Sequence, residues 1–128
     1  MAYTLQTSQT SFKGGKNILA SEHLQFIEAG ATLDAATIGA KTLEVGTAIM
    51  RNTTSGKFEE YADDTGAVPS GYDEFTILNI DVEVDGTNDV VVGEVIFRGS
   101  VYDAKLPSNV TDAFKTETKD RIRYVKHI

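Results

Sequence analysis

The groups in this chain with residue types suited to chemistry are two histidines, a pair of adjacent aspartates and a short run of alternating acids. His23 and His127 are the only imidazoles. A nucleophilic triad needs one of them beside an activated serine and oriented by an acid, yet no G-x-S-x-G elbow is present. Two histidines without a further strong ligand do not make a metal site. Asp63 and Asp64 lack a second acid or histidine at a spacing suited to general acid–base work. Asp81-x-Glu83-x-Asp85-Gly86 has the opening of a calcium loop, but Val92 stands where the closing bidentate glutamate belongs. Lys13-Gly-Gly-Lys16 lacks the spacing and the preceding strand of a phosphate loop. Asn52-Thr-Thr54 and Asn109-Val-Thr111 fit the glycosylation pattern, with no secretory signal to support its use. With no cysteine there is no thiolate and no disulfide frame. No enzyme and no cofactor are expected.

The elements around these residues read mostly as hairpins. Thr47–Asn52 and Lys57–Tyr61 flank a turn through Thr53-Thr-Ser-Gly56. Thr76–Val84 and Asp89–Phe97 flank Asp85-Gly-Thr-Asn88, where glycine supplies positive φ and the Asx side chains bond their own backbone. Leu78, Ile80, Val82 and Val84 share one face of the first of these strands, and Asn79, Asp81, Glu83 and Asp85 share the other. Its partner is apolar on both faces and is expected to be the more buried. Gly93 within it predicts a bulge or a close backbone approach.

Outside the hairpins the pattern is weaker. Ser21–Gly30 suits a short capped helix or a strand, and Ala31–Ala40 reads as a surface loop. Tyr61–Gly71 is turn-rich. After Pro107, Ser108 or Asn109 is placed to cap a helix over 110–118, and Arg121–Ile128 alternates like a closing strand. Residues 1–17 are polar and small, with isolated Leu5 and Phe12. They read as a flexible arm whose apolar residues could anchor it if it adds a strand to a partner's sheet.

The length of 128 residues suits one domain, taken as 18–128, following the arm at 1–17. No segment approaches the roughly 20 apolar residues of a membrane span, and the N-terminus lacks a signal pattern, so synthesis in the cytoplasm is expected. The net charge of −7 is uneven. Residues 1–21 carry only Lys13 and Lys16, whereas Phe58–Phe97 holds Glu59, Glu60, Asp63, Asp64, Asp73, Glu74, Asp81, Glu83, Asp85, Asp89 and Glu94 with no Lys or Arg. From Arg98 onward basic residues predominate. Such a run serves solubility as a solvated face; on a particle it would face outward, with the basic end turned towards a partner. Basic residues too few and not interleaved with aromatics argue against a nucleic-acid groove.

Several segments, in order, resemble the head decoration proteins of lambda-type tailed phages. Gly46-Thr-Ala-Ile-Met-Arg-Asn52 with Ser55-Gly-Lys-Phe58 is similar to that family's first core hairpin, and Phe75–Val84 to its next long strand. Val92–Tyr102 and the closing Glu117–Arg121 with its final strand also fit, so the resemblance covers roughly residues 46–128. It implies a mainly β fold of bent hairpins (β-clip or β-tulip-like) with one or two short helices and a flexible N-terminal arm. The implied role is a homotrimeric capsid cement on the outer surface of the virion. Such a trimer sits at three-fold sites and binds the major capsid protein of the shell against the pressure of packaged DNA. Neither nucleic acid nor membrane would be a direct partner. On this reading Leu5 and Phe12 anchor the arm, Lys13 and Lys16 meet capsid carboxylates, and Tyr102, Leu106 and Phe114 are candidates for the subunit interface. The alternatives are another phage structural subunit (tail tube, fibre base or head completion) or a β-clip nucleotide pyrophosphatase, which would need an acid-bound metal.

Overall fold

The structure, a computed structural model, describes residues 17–126. It is mainly β. Strands β1 (Gln25–Phe26), β2 (Ala31–Leu33), β3 (Ala40–Leu43), β4 (Ala48–Asn52) and β5 (Phe58–Glu60) are followed by β6 (Tyr72–Leu78), β7 (Val82–Asp85), β8 (Val90–Val92), β9 (Val95–Tyr102) and β10 (Ile122–Val125). Helix α1 spans Ala35–Ile38 and α2 spans Asp112–Thr118. One sheet runs in the order β1-β9-β6-β4-β5-β2-β8, and β3 and β7 make a second, two-stranded one.

The long strand β9 organises the molecule. One of its edges is lined by the chain from Ile18 to Phe26, which runs antiparallel to it through Leu19 opposite Val101 and Phe26 opposite Ile96. The other edge changes partner halfway. β6 pairs with Val95 and Ile96, while β10 takes over in parallel from Gly99 to Tyr102. Arg121 fills the changeover. Its guanidinium donates to the carbonyls of Phe97 (2.7 Å) and Phe75 (3.0 Å) and lies 4.4 Å from the centre of the Phe97 ring. This residue of the basic C-terminal stretch is therefore a structural pin.

The β4–β5 hairpin forms as its sequence predicts. Asn52 Oδ1 accepts from the amides of Thr54 and Ser55, and Gly56 sits at φ 77°. Between Ile49 and Arg51 the β4–β6 register shifts by one residue, and Glu74 takes φ 48° there. This bulge turns Phe75 into the core beside Tyr61 and Phe114, whose rings meet edge to face at centroid distances of 4.9–6.3 Å. A second core gathers Leu33, Leu43, Ile49, Leu78, Val84 and Val95.

The second long hairpin does not form as a single ladder. β6 and β9 pair only at its root, at Ile77–Ile96 and Leu78–Val95. Beyond Asn79 the two arms part: β7 pairs with β3, and β8 pairs with β2. Two features break the ladder. Asp81 turns inward to accept the amide of Val45 at 2.8 Å, and the strand partners β3 and β2 compete for the same backbone groups. The four-residue apolar face is broken accordingly, because Ile80 is exposed while Leu78, Val82 and Val84 are buried. Nor is the returning arm the more buried one, since Val91 is 68% exposed. Gly93 neither bulges into a neighbour nor is closely approached; it lies at the bend between β8 and β9. The turn itself behaves as expected, with Asp85 Oδ1 accepting from Thr87 and Asn88.

Two other segments differ from expectation. Residues 31–40 hold β2 and α1 rather than a surface loop, because Ala31, Leu33 and Ala35 fit the second core with no exposure. The cap of α2 is Thr111, whose Oγ1 accepts from the Phe114 amide, rather than Ser108 or Asn109.

Gly46 carries a local prediction. It sits at φ 98°, and a Cβ there would stand 2.9 Å from Pro107 Cδ. Gly46→Ala is expected to cost more than about 1 kcal/mol in a thermal melt, because both the backbone conformation and the space oppose the methyl group. An unchanged melting temperature would contradict this packing.

Burial pushes the phenol of Tyr124 up to about 12, and burial together with the hydrogen bond to Asp63 does the same for Tyr61. Both folded values lie above the unfolded value of about 10. The stabilisation is therefore whole below pH 10 and is lost as pH rises towards 12. Tyr124→Phe is expected to flatten the fall of denaturant midpoint between pH 9 and pH 11.5. Identical pH profiles for variant and parent would refute the assignment.

Candidate docking surface

Several of the residues singled out for chemistry are used to hold the fold together. Asp63 Oδ1 accepts from the hydroxyls of Tyr61 (2.6 Å) and Thr111 (2.8 Å), tying β5 to the cap of α2. Asp64 closes a tight turn with Ala67 through two backbone hydrogen bonds. In the run that opens like a calcium loop, Asp81 is committed to Val45, Glu83 lies on the exposed side of β7, and Asp85 caps its turn. The amides of Asn88 and Thr87 hold the Asp85 carboxyl below the usual aspartate range. Among the described residues no group of three or more His, Cys, Asp or Glu is placed to hold a metal ion. His23 is exposed, and its backbone amide donates to Ser21 Oγ; His127 lies outside the described residues.

Both glycosylation-pattern asparagines are also engaged. Asn52 caps the β4–β5 turn. Asn109 reaches across the fold, accepting the Ala48 amide at 3.1 Å and donating to the carbonyls of Ala48 (2.9 Å) and Tyr61 (3.2 Å).

The acidic stretch is partly neutralised by cations from outside it. Asp73 takes a two-pronged contact from Arg51 at 2.8 and 2.7 Å, Glu60 pairs with Lys41, and Asp89 pairs with Lys57 at 2.8 Å. The hydrogen bond from Lys57 and the Ala35 amide hold the Asp89 carboxyl below its usual range. The acids that remain towards solvent near Gly93 are Glu83 and Glu94, with the half-buried Asp81 beside them.

The candidate interface residues divide. Phe114 has no exposure and lies in the aromatic core, so it does not serve a subunit interface: its apolar ring is consumed by Tyr61 and Phe75. Tyr102 and Leu106 are half-buried, and Lys105 Nζ lies 4.9 Å from the Tyr102 ring centre. Leu5, Phe12, Lys13 and Lys16 lie outside the described residues.

Charge is polarised along β9. Past its Tyr102 end stand the exposed Lys105, which donates to the Asn17 carbonyl at 3.3 Å, and Lys126; the nearby Asp103 pairs with Lys115 at 2.6 Å and with Lys126 at 3.5 Å. Ahead of its Val95 end stand Glu94 and a groove of about 540 Å³ between Ile80–Glu83 and Val90–Glu94. Ile80 and Val91 in that groove are two of the three large apolar side chains left exposed among the described residues. The sequence carried a signal for Val91, since three successive valines on a strand cannot all point to one face. Ile80 gave none, because only the parting of the two arms uncovers it. No family model, curated protein or solved structure matches this chain.

Proposed function

We propose that this chain is a capsid decoration protein: a structural subunit that docks as a trimer at the three-fold sites of the mature capsid of a tailed phage and cements neighbouring capsid proteins. The observation that carries this reading is the use made of the ionisable groups. They cap turns, pin strands and pair across the fold, and the surfaces left exposed are two oppositely charged ends and open strand edges. Such surfaces suit docking on a protein lattice better than turnover of a small molecule. The resemblance over residues 46–128 supplies the identity of the lattice.

A cement needs no strong single contact. Three weak footprints joined in one trimer bind with high effective concentration once the first is seated. The protein would act on the outer surface of the virion, after synthesis in the host cytoplasm. The test is to mix the purified chain with expanded capsids lacking their own decoration and pellet them. Saturable co-pelleting with expanded shells, and not with unexpanded ones, is the expected result. Equal recovery with both, or with neither, would overturn the reading.

A further inference from the structure

The parting of β7 and β8 leaves two strand edges facing one groove. β7 is paired on one side by β3 and β8 on one side by β2, and no backbone ladder joins β7 to β8. Unpaired edges of this kind are templates for an added strand. This groove also offers apolar contacts in Ile80 and Val91 and an acidic rim in Glu83 and Glu94.

The sequence contains a segment of matching chemistry. Residues 1–16 carry Lys13 and Lys16 and no acid, and Tyr3, Leu5 and Thr7 alternate with polar residues. Where the described chain begins decides which copy the segment can reach most directly. Ile18 and Ala20 bond to Tyr102 and Ser100, and the chain then runs along β9 towards Val95. Asn17 therefore stands at the Tyr102 end of β9, about 25 Å along the strand from the groove end. To enter its own groove the segment would have to reverse at Gly14-Gly15 and run back the length of β9. A neighbouring copy placed head to tail would bring its groove to the departing segment, with Lys105 and Lys126 of one copy facing Glu83 and Glu94 of the next.

We propose that residues 1–16 of one copy enter the slot between β7 and β8 of a second copy as an added strand. The contact is heterologous, so it closes only in a ring, as a trimer is. It requires no capsid and stands independently of the decoration reading.

The absence of cysteine permits a direct test on the full chain. Tyr3→Cys, Leu5→Cys and Thr7→Cys are each mixed with Val91→Cys under mild oxidation, with Thr54→Cys at the exposed hairpin tip as the control. At least one pair is expected to form a disulfide between copies at least about tenfold faster than the control, because docking raises the local thiol concentration. Rates no higher than the control for all three pairs would overturn the proposal. So would a single chain carrying both Leu5→Cys and Val91→Cys that closes only on itself under the same oxidation, which would place the segment in its own groove. No shell enters the experiment, so its failure leaves the decoration reading to its own test.

Discussion

Phe114→Ala is expected to lower the stability of the isolated subunit by about 3–5 kcal/mol, the usual cost of emptying a large aromatic site in a packed core. The ring has no exposure and stands edge to face with Tyr61 and Phe75. It also anchors α2 against the sheet, next to Thr118, whose hydroxyl donates to the Phe114 carbonyl. For a domain with a total stability of about 5–15 kcal/mol, such a loss takes a large share. It corresponds to a fall in melting temperature of roughly 15 °C. Calorimetry at several protein concentrations distinguishes this from a role between subunits. The core role predicts the same fall at every concentration; a fall seen only where the parent is oligomeric would return Phe114 to an interface.

The second large effect is expected at Asn109. Its side chain satisfies the amide of the fully buried Ala48 and bonds the carbonyls of Ala48 and Tyr61, joining β4, β5 and the turn before α2. The Ala48 carbonyl keeps a second partner in the Tyr61 amide, so truncation orphans mainly the Ala48 amide and the Tyr61 carbonyl. An unmade hydrogen bond at a buried group costs about 1–3 kcal/mol, which for two such groups puts Asn109→Ala at about 2–6 kcal/mol. Asn109→Asp keeps the acceptor but loses the donor and adds a charge among carbonyls. Its stability should recover as pH falls and the carboxyl gains a proton with which to donate. Denaturant melts of both variants at pH 4 and pH 7 check this. An Asn109→Asp midpoint that falls in step with the parent on acidification would refute the bridging role.

These two residues show where the sequence is readable and where it is not. The β4–β5 hairpin could be read because its turn is local: Asn52 and Gly56 meet requirements set within a few residues. The turn at Asp85–Asn88 could be read for the same reason. The mainly β class and the short helix after Pro107 also followed from local pattern. What could not be read depended on distant partners. The alternation from Leu78 to Val84 suits one continuous strand, yet β3 and β2 claim the two arms, and that competition has no local trace. Asn109 suits a helix cap locally, and only the arrival of Ala48 and Tyr61 gives it a different task. Residues 31–40 are small and weakly periodic because they fill a crowded core, where size matters more than pattern.

The candidate site was legible in part. The uneven charge was plain, but its pairing was not: Arg51, Lys57 and Lys41 lie outside the acidic run and neutralise some of it across strands. The groove between β7 and β8 was invisible, since it exists only because a predicted ladder opens.

The most direct test of the capsid-cement proposal is cryo-electron microscopy of expanded, undecorated capsids incubated with the purified chain. The proposal predicts new density confined to the outer surface at the three-fold sites, of a volume that fits three copies of the 13.9 kDa subunit. Shells without added density there, or with density only at the vertex or tail, would contradict it.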